Sequence, residues 1–310
     1  MSHKILVGDV FDKLKEIPDN SIQSCITSPP YWGLRDYGHD GQIGLEATPQ
    51  DYVKNMVNVF DEIWRVLKND GTLWLNLGDS YASFRDGKAV PDTTRGDSLG
   101  TLVPKGLAKN RMATTFTGTN IKHKDLVGIP WRVAFALQEA GWYLRQDIIW
   151  AKPNPMPESV TDRCTKSHEY LFLLTKSAKY HFDNQAIKEP AVAGRKAGNK
   201  LPQKGTSVEG MEIRNGLFKA QQQIYETRNK RDVWTIAGKP FKGAHFAVMP
   251  EALVEPCILA GSSENDLILD PFAGSGTVGL VALKNNRNFI GIELNPEYAQ
   301  IAMDRINDAA

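Results

Sequence analysis

Cysteine is scarce in this sequence: Cys25, Cys164 and Cys257 are the only three among 310 residues. An odd count with no CxxC pair gives no support to a disulfide framework or a zinc knuckle, and predicts a reducing compartment. Long apolar runs are missing too. No stretch approaches the roughly 18 residues needed to cross a bilayer, and the opening MSHKILVGDVFDKL enters a strand pattern without a signal-peptide leader. These absences predict a cytoplasmic chain without membrane contact. Charge of one sign is lacking overall, with 37 basic residues against 36 acidic ones. Neither Gly, at 26, nor Pro, at 17, is in excess, and with 41% hydrophobic residues a fibrous or disordered chain is excluded. The length predicts one large domain, or one core with a smaller appendage.

What charge there is lies unevenly. Residues 1–81 carry 7 basic and 12 acidic groups, and residues 246–310 carry 3 and 9. Between them, residues 82–125 carry 8 basic against 4 acidic, and residues 195–245 carry 11 against 4. Two basic segments thus sit between acidic ends.

Strand and helix patterns alternate along the rest. Residues 4–7 read as a strand, 11–16 as a helix, and 22–27 as a strand ending in Ser28-Pro29-Pro30-Tyr31. Val53, Met56, Val57, Phe60, Ile63, Trp64 and Leu67 recur at helical spacing, and Asn69-Asp70-Gly71 predicts a stop before an apolar strand over 72–77. A helix over 129–140, stopped by Gly141, precedes strands over 142–150 and 169–175. Near the C-terminus, a buried strand over 267–270, a glycine turn, a helix over 277–284 and a strand over 289–292 follow in order. Asn295 and Pro296 then supply the cap and first residue of a last helix, to about residue 306. This alternation predicts an α/β fold with a doubly wound, mostly parallel sheet. Segments 82–125 and 194–230, rich in Gly, Lys and Arg, stand outside the pattern as long loops or small appendages; loops of that length are uncommon unless they are functional.

Two turns carry the chemistry. The first, Asp270-Pro271-Phe272-Ala273-Gly274-Ser275-Gly276-Thr277, is a glycine turn between a buried strand and a helix, and Glu293 follows it at the end of the next strand. An acidic group about 20 residues beyond such a turn can accept both hydroxyls of a ribose. GxGxxG is incomplete here, so an adenosine-type cofactor without a pyrophosphate is favoured over a nicotinamide. The second turn is Thr27-Ser28-Pro29-Pro30-Tyr31-Trp32-Gly33. Its paired prolines remove two backbone donors and leave carbonyl oxygens and the Ser28 hydroxyl as acceptors beside aromatic rings. That suits a flat base bearing an amino group. A Pro-Pro turn closing a strand over a core aromatic is the structural alternative.

Together, Ser28 to Tyr31 and Phe272, Gly274 and Gly276 resemble the D/N/S-P-P-Y/F and FxGxG signatures of the amino-group DNA methyltransferases, which methylate the exocyclic nitrogen of cytosine or adenine. The tetrapeptide precedes the cofactor turn, which resembles the permuted beta arrangement of that family. The resemblance covers most of the chain and implies a Rossmann-like fold that uses S-adenosylmethionine, without metal. It implies a catalytic half at 1–194 with the basic insertion 82–125, a target-recognition region at 195–245, and a cofactor-binding half at 246–310 completing the same domain. Ser28, Pro29, Pro30 and Tyr31 are then catalytic. Asp9 resembles the carboxylate that contacts the cofactor's adenine, though a helix cap would use the same residue. His245, Pro250 and Glu251 resemble the segment packed over the methionine part. Residues 150–159 and 167–177 resemble base-pocket walls, while His168 and Glu169 by themselves read as a strand-initiating surface pair. Asp79 reads as a pocket rim or a loop cap.

Within this resemblance the reaction is direct attack of an amine lone pair on a methyl group after the base is flipped from the duplex, with Tyr31 or Trp32 replacing the lost stacking. Serine at the head of the tetrapeptide mostly accompanies N4-methylation of cytosine; adenine stays the alternative. Arg195, Lys196, Lys200, Lys204, Arg214, Arg228, Lys230 and Arg231 are the candidates for phosphate contacts. Two other readings stay open. One is attack on cytosine carbon 5 by Cys257, set against a buried core thiol on an apolar helical run. The other is a non-catalytic DNA-binding protein on a degenerate fold. Duplex DNA is the expected partner, in a bacterium or a phage-infected cell, with a cognate restriction endonuclease and a monomeric or homodimeric state left open.

Overall fold

The structure, a computed structural model, describes residues 1–34, 41–82, 119–191, 226–238 and 249–308. Its centre is an eight-stranded sheet. In chain order the elements are β1 (His3–Val7), α1 (Val10–Leu14), β2 (Ile22–Thr27), α2 (Pro49–Val66), β3 (Leu67–Leu77), α3 (Ile129–Glu139), β4 (Tyr143–Ala151) and β5 (His168–Thr175). They continue with β6 (Glu189–Pro190), β7 (Thr227–Arg228), β8 (Val233–Thr235), α4 (Glu251–Gly261), β9 (Leu267–Asp270), α5 (Thr277–Lys284), β10 (Asn288–Glu293) and α6 (Pro296–Asn307). The sheet order is β1-β10-β9-β2-β3-β5-β4-β8, with β6 and β7 as a separate antiparallel pair. β5 pairs antiparallel with both β3 and β4, and every other pairing in the large sheet is parallel.

Successive strand residues feed opposite layers, as the pleat requires. Cys25, Leu73, Leu75, Phe172 and Leu269 point to a core shared with α1, α2 and α3. Ile26, Trp74, Leu171, Leu173 and Ile268 point to a second core under α4, α5 and α6. All six residues of β2 are buried, the mark of a parallel strand covered on both faces. The predicted doubly wound α/β architecture is therefore present as three layers.

Most boundaries fall within two residues of those predicted, the ordinary uncertainty of helix and strand ends. One prediction needs correction. Asn69-Asp70-Gly71 does not separate helix from strand, because β3 begins at Leu67, immediately after the last residue of α2. Leu67 is already extended and pairs with Ile22, and the register then shifts so that residues 68–71 of β3 bulge out before Thr72 pairs with Ser24; burial of Leu67 beside β2 overrides the local turn signal. The short strands β6, β7 and β8 were not predicted. β8 falls within 195–245, yet it forms the outer edge of the main sheet against β4.

Chain order and sheet order diverge at the middle. From β9 the chain moves through α5 to β10 on one side, and from β2 it moves through α2 to β3 on the other. A crevice therefore opens beyond the carboxyl ends of β9 and β2, the switch point where doubly wound sheets bind ligands. Gly276 begins α5 there at φ +75°, and a Cβ at that position would lie 2.9 Å from the Cβ of Ala302 on α6. Gly276→Ala should lower the unfolding free energy by about 2–4 kcal/mol, from a left-handed alanine plus the forced separation of α5 and α6. Urea denaturation followed by circular dichroism checks this.

Candidate active site

The two turns singled out in the sequence meet at the switch point. Thr27, the last residue of β2, donates its hydroxyl to Asp270 Oδ1 at 2.7 Å, joining positions 243 residues apart. Phe272 N donates to the same oxygen at 3.1 Å. The crevice is a cavity of about 520 Å³, within the range of small-molecule sites. Ser28, Pro29, Pro30 and Tyr31 line it from one side. Asp9, Asp270 to Ser275, Thr277 and Glu293 line it from the other, while Gly276 does not reach the wall and acts as the helix cap.

On the glycine-turn side, backbone groups orient the acids. Glu293 accepts from Gly274 N at 2.8 Å through one oxygen and from Asn295 N at 2.9 Å through the other. Its carboxylate is thus locked at the end of β10. Asp9 caps α1 by accepting from Phe11 N at 2.9 Å, and it also lines the cavity. Arg305 of α6, which nothing in the sequence marked, donates to Ser275 O and Oγ at 3.2 Å and to Thr277 Oγ1 at 2.9 Å, bracing the turn from behind.

On the tetrapeptide side, a hydrogen-bond chain runs along the cavity wall. Ser28 Oγ donates to the Tyr31 hydroxyl at 3.2 Å, and that hydroxyl donates to Glu169 Oε2 at 2.8 Å and lies 3.1 Å from Asn76 Oδ1. Glu169 is ion-paired with Lys152, whose ammonium also lies over the Trp150 ring. Burial, and next the neighbouring Glu169 charge, push the Tyr31 phenol well above its ordinary value, so it stays a protonated donor. The Tyr31 ring lies so close to Gly78 that a Cβ there would come within 2.6 Å of it. Pro30 O accepts from the Tyr52 hydroxyl on α2 at 2.9 Å, which fixes the second proline to the layer behind.

These contacts correct the readings of Glu169 and Trp32 and decide between the alternatives left open for Asp79 and Cys257. Glu169 is not a surface residue: it lines the cavity and is bonded to Tyr31 and Asn76. Trp32, expected to stack on DNA, is only 2% exposed, donates its indole N–H to Glu46 O at 2.9 Å, and packs in the core behind the turn. Asp79 is a cap: it accepts from Gly128 N and Ile129 N at the start of α3. Cys257 is buried in α4 away from the cavity wall, its thiol donating to Leu253 O and pushed up in pKa by burial, which removes it as a nucleophile. Arg228 and Arg231 both pair with Glu189, and Lys230 lies over the Trp234 ring. His245, Arg195, Lys196, Lys200, Lys204 and Arg214 lie outside the described residues, as do residues 83–118 of the basic insertion 82–125.

Asp270 is 2% exposed. Burial pushes its carboxyl up to about 7, with Glu293 adding to the rise and the Thr27 and Phe272 bonds opposing it. A folded-state pKa above the unfolded value means that the group's contribution to stability is greatest below about pH 4 and is lost as pH rises through about 7. Asp270→Asn keeps an acceptor for Thr27 but cannot ionise. The variant should therefore gain stability relative to the parent between pH 4 and pH 8, by an amount on the order of 4 kcal/mol. Denaturant midpoints measured across that range test this, and parallel curves for the two proteins would refute it.

Comparison with known proteins agrees with this arrangement. The N6/N4 DNA methylase family model matches residues 22–304. Type II methyltransferase M.Cfr9I of Citrobacter freundii is 47% identical over 299 residues, covering 96% of this chain and 86% of that protein. Type II methyltransferase M.SmaI of Serratia marcescens is 45% identical over 306 residues, covering 98% and 91%. Among solved structures, the PvuII DNA methyltransferase, described as cytosine-N4-specific, superposes with a TM-score of 0.64 at 19% identity, over 98% of this chain and 86% of that one. A putative DNA modification methylase from Thermus thermophilus in complex with S-adenosylmethionine superposes at 0.58 with 21% identity, over 100% and 96%. A match over residues 22–304, a range that includes both turns meeting at this cavity, places the protein in the N6/N4 DNA methylase family.

Proposed function

We propose that this protein is a Type II, site-specific DNA methyltransferase that transfers a methyl group from S-adenosylmethionine to the N4 amine of cytosine in duplex DNA. The observation that carries the choice of base is Ser28, a neutral hydroxyl at the head of the tetrapeptide on the cavity wall. The cytosine-N4 specificity in the name of the PvuII enzyme supports the same reading.

The glycine-turn side fits an adenosine-bearing sulfonium. The locked Glu293 carboxylate suits the ribose hydroxyls, Asp9 supplies an acceptor for the adenine amine, and the turn itself permits close backbone approach. When bound, S-adenosylmethionine supplies an electrophilic methyl group on a positively charged sulfur. The tetrapeptide side holds the nucleophile. An aromatic amine is weakly nucleophilic because its lone pair delocalises into the ring. Hydrogen bonds from its two N–H groups to Ser28 Oγ and the Pro29 carbonyl favour a pyramidal nitrogen and stabilise the positive charge that develops there.

The Ser28–Tyr31–Glu169 chain strengthens that acceptor. A hydroxyl that donates into a polarised chain becomes a better acceptor itself, and the retained Tyr31 proton keeps the direction of donation fixed. On transfer, the amine nitrogen would form the new bond to the methyl carbon as sulfur kept the electron pair of the old one, and the surplus amine proton would pass to water. Orientation in the cavity supplies much of the remaining acceleration. Because the amine is stacked inside a duplex, the base must leave the helix to reach Ser28.

Incubation with mixed-sequence duplex DNA and labelled S-adenosylmethionine, followed by nucleoside chromatography and mass analysis, should yield N4-methylcytosine; sequencing the product maps the site. N6-methyladenine instead would retain the chemistry and overturn the choice of base. Ser28→Ala should slow methyl transfer by about a hundredfold, with cofactor affinity by calorimetry nearly unchanged. Equal loss of both would remove Ser28 from its assigned role. Cys257→Ser should keep full activity.

A further inference from the structure

Met156 is the most exposed large hydrophobic residue among those described, at 85%, against 58% for Val233 and 57% for Met1, the next two. It lies on the wall of the active-site cavity, where Leu34 is the only other exposed large hydrophobic among the described residues. Single exposed apolar side chains are ordinary on a protein surface; what sets Met156 apart is its place on the cavity wall, on a segment tied down on both sides.

The segment that carries Met156 is stiff. It reads Lys152-Pro153-Asn154-Pro155-Met156-Pro157-Glu158, with φ set at three of seven positions by proline. Lys152 N donates to Ser167 O at 2.7 Å. Asn154 is tied both ways to Gly238, donating to its carbonyl at 3.3 Å and accepting from its N–H at 3.2 Å. Glu158 accepts from the Arg163 guanidinium at 2.7 Å. A segment anchored on both sides of its tip loses little entropy when the tip meets another surface.

We propose that Met156 is the wedge that enters the duplex where the target base leaves it. This rests on the reading of the protein as a methyltransferase acting on duplex DNA. Extruding a base breaks its stacking and leaves a gap, and apolar side chains including methionine fill such gaps between base steps. The unbranched thioether is long enough to reach between bases and polarisable enough to lie against their faces. Lys152, fixed four residues away by its bond to Glu169, ties the wedge segment to the same chain that orients Ser28. The base would enter the cavity from the mouth that Met156 guards.

The test uses the full-length protein, labelled S-adenosylmethionine and two duplexes bearing the mapped site. One duplex is fully paired, and the other has an abasic position opposite the target base, so that extrusion breaks no base pair. In single-turnover methylation, Met156→Ala should be slower than the parent by roughly 10- to 100-fold on the paired duplex and within about threefold of it on the abasic one. Met156→Leu should restore most of the rate on the paired duplex. Unchanged rates on the paired duplex, or equal loss on both, would overturn the wedge while leaving the methyltransferase reading intact. A parent protein that methylates neither duplex would overturn that reading and the wedge with it.

Discussion

The hydrogen bond from Thr27 to Asp270 lies at the one place where this fold can hold two ligands side by side. β2 and β9 are adjacent in the sheet but begin opposite windings, so their carboxyl ends are left without a crossover helix above them. The bond between their last residues ties the Ser-Pro-Pro-Tyr turn to the glycine turn at a fixed separation. Asp270 is the hinge of this arrangement, and its burial has an electrostatic cost offset by Thr27 and by the amide of Phe272. A methyl transfer needs donor and acceptor sites placed to within a fraction of an ångström. Here the constraint is built from the sheet itself rather than from mobile loops.

Around that joint the two sides are organised in opposite senses. The glycine-turn side aims backbone donors at its carboxylate, so that Glu293 is oriented before any ligand arrives. The tetrapeptide side presents oxygen acceptors, with Ser28 drawn toward Tyr31 and Glu169 behind it. The paired prolines leave that turn without two backbone donors. Support comes from the outer layers: Tyr52 of α2 holds Pro30, Arg305 of α6 holds the glycine turn, and Asp79 starts α3 beside β3. The helices therefore stabilise the sheet and also hold the turns in place.

Helix and strand periods were legible where burial follows a simple rule. The apolar spacing from Val53 to Leu67 marked α2, and the apolar run before Asp270 marked β9. Both turns were legible because glycine and proline restrict the backbone in ways few other residues do. β8 was not legible, since three residues carry no period, and it exists only through its pairing with β4. Glu169 and Trp32 were misread for a related reason. Whether a glutamate at a strand start faces water or a tyrosine hydroxyl, and whether a tryptophan after a turn faces DNA or the core, depends on partners 138 and 14 residues away respectively.

The amino-acid sequence by itself determined the three-layer α/β architecture, the two chemical turns and their order along the chain, because these follow from local periodicity and from residues with narrow backbone preferences. Only the tertiary structure decided which side chains complete the site. It brought Glu169, Lys152, Asn76 and Arg305 to the turns, withdrew Trp32 and Cys257 into the cores, and left Met156 standing in water at the cavity. Those outcomes depend on long-range packing and on the desolvation of charge, which no local pattern encodes.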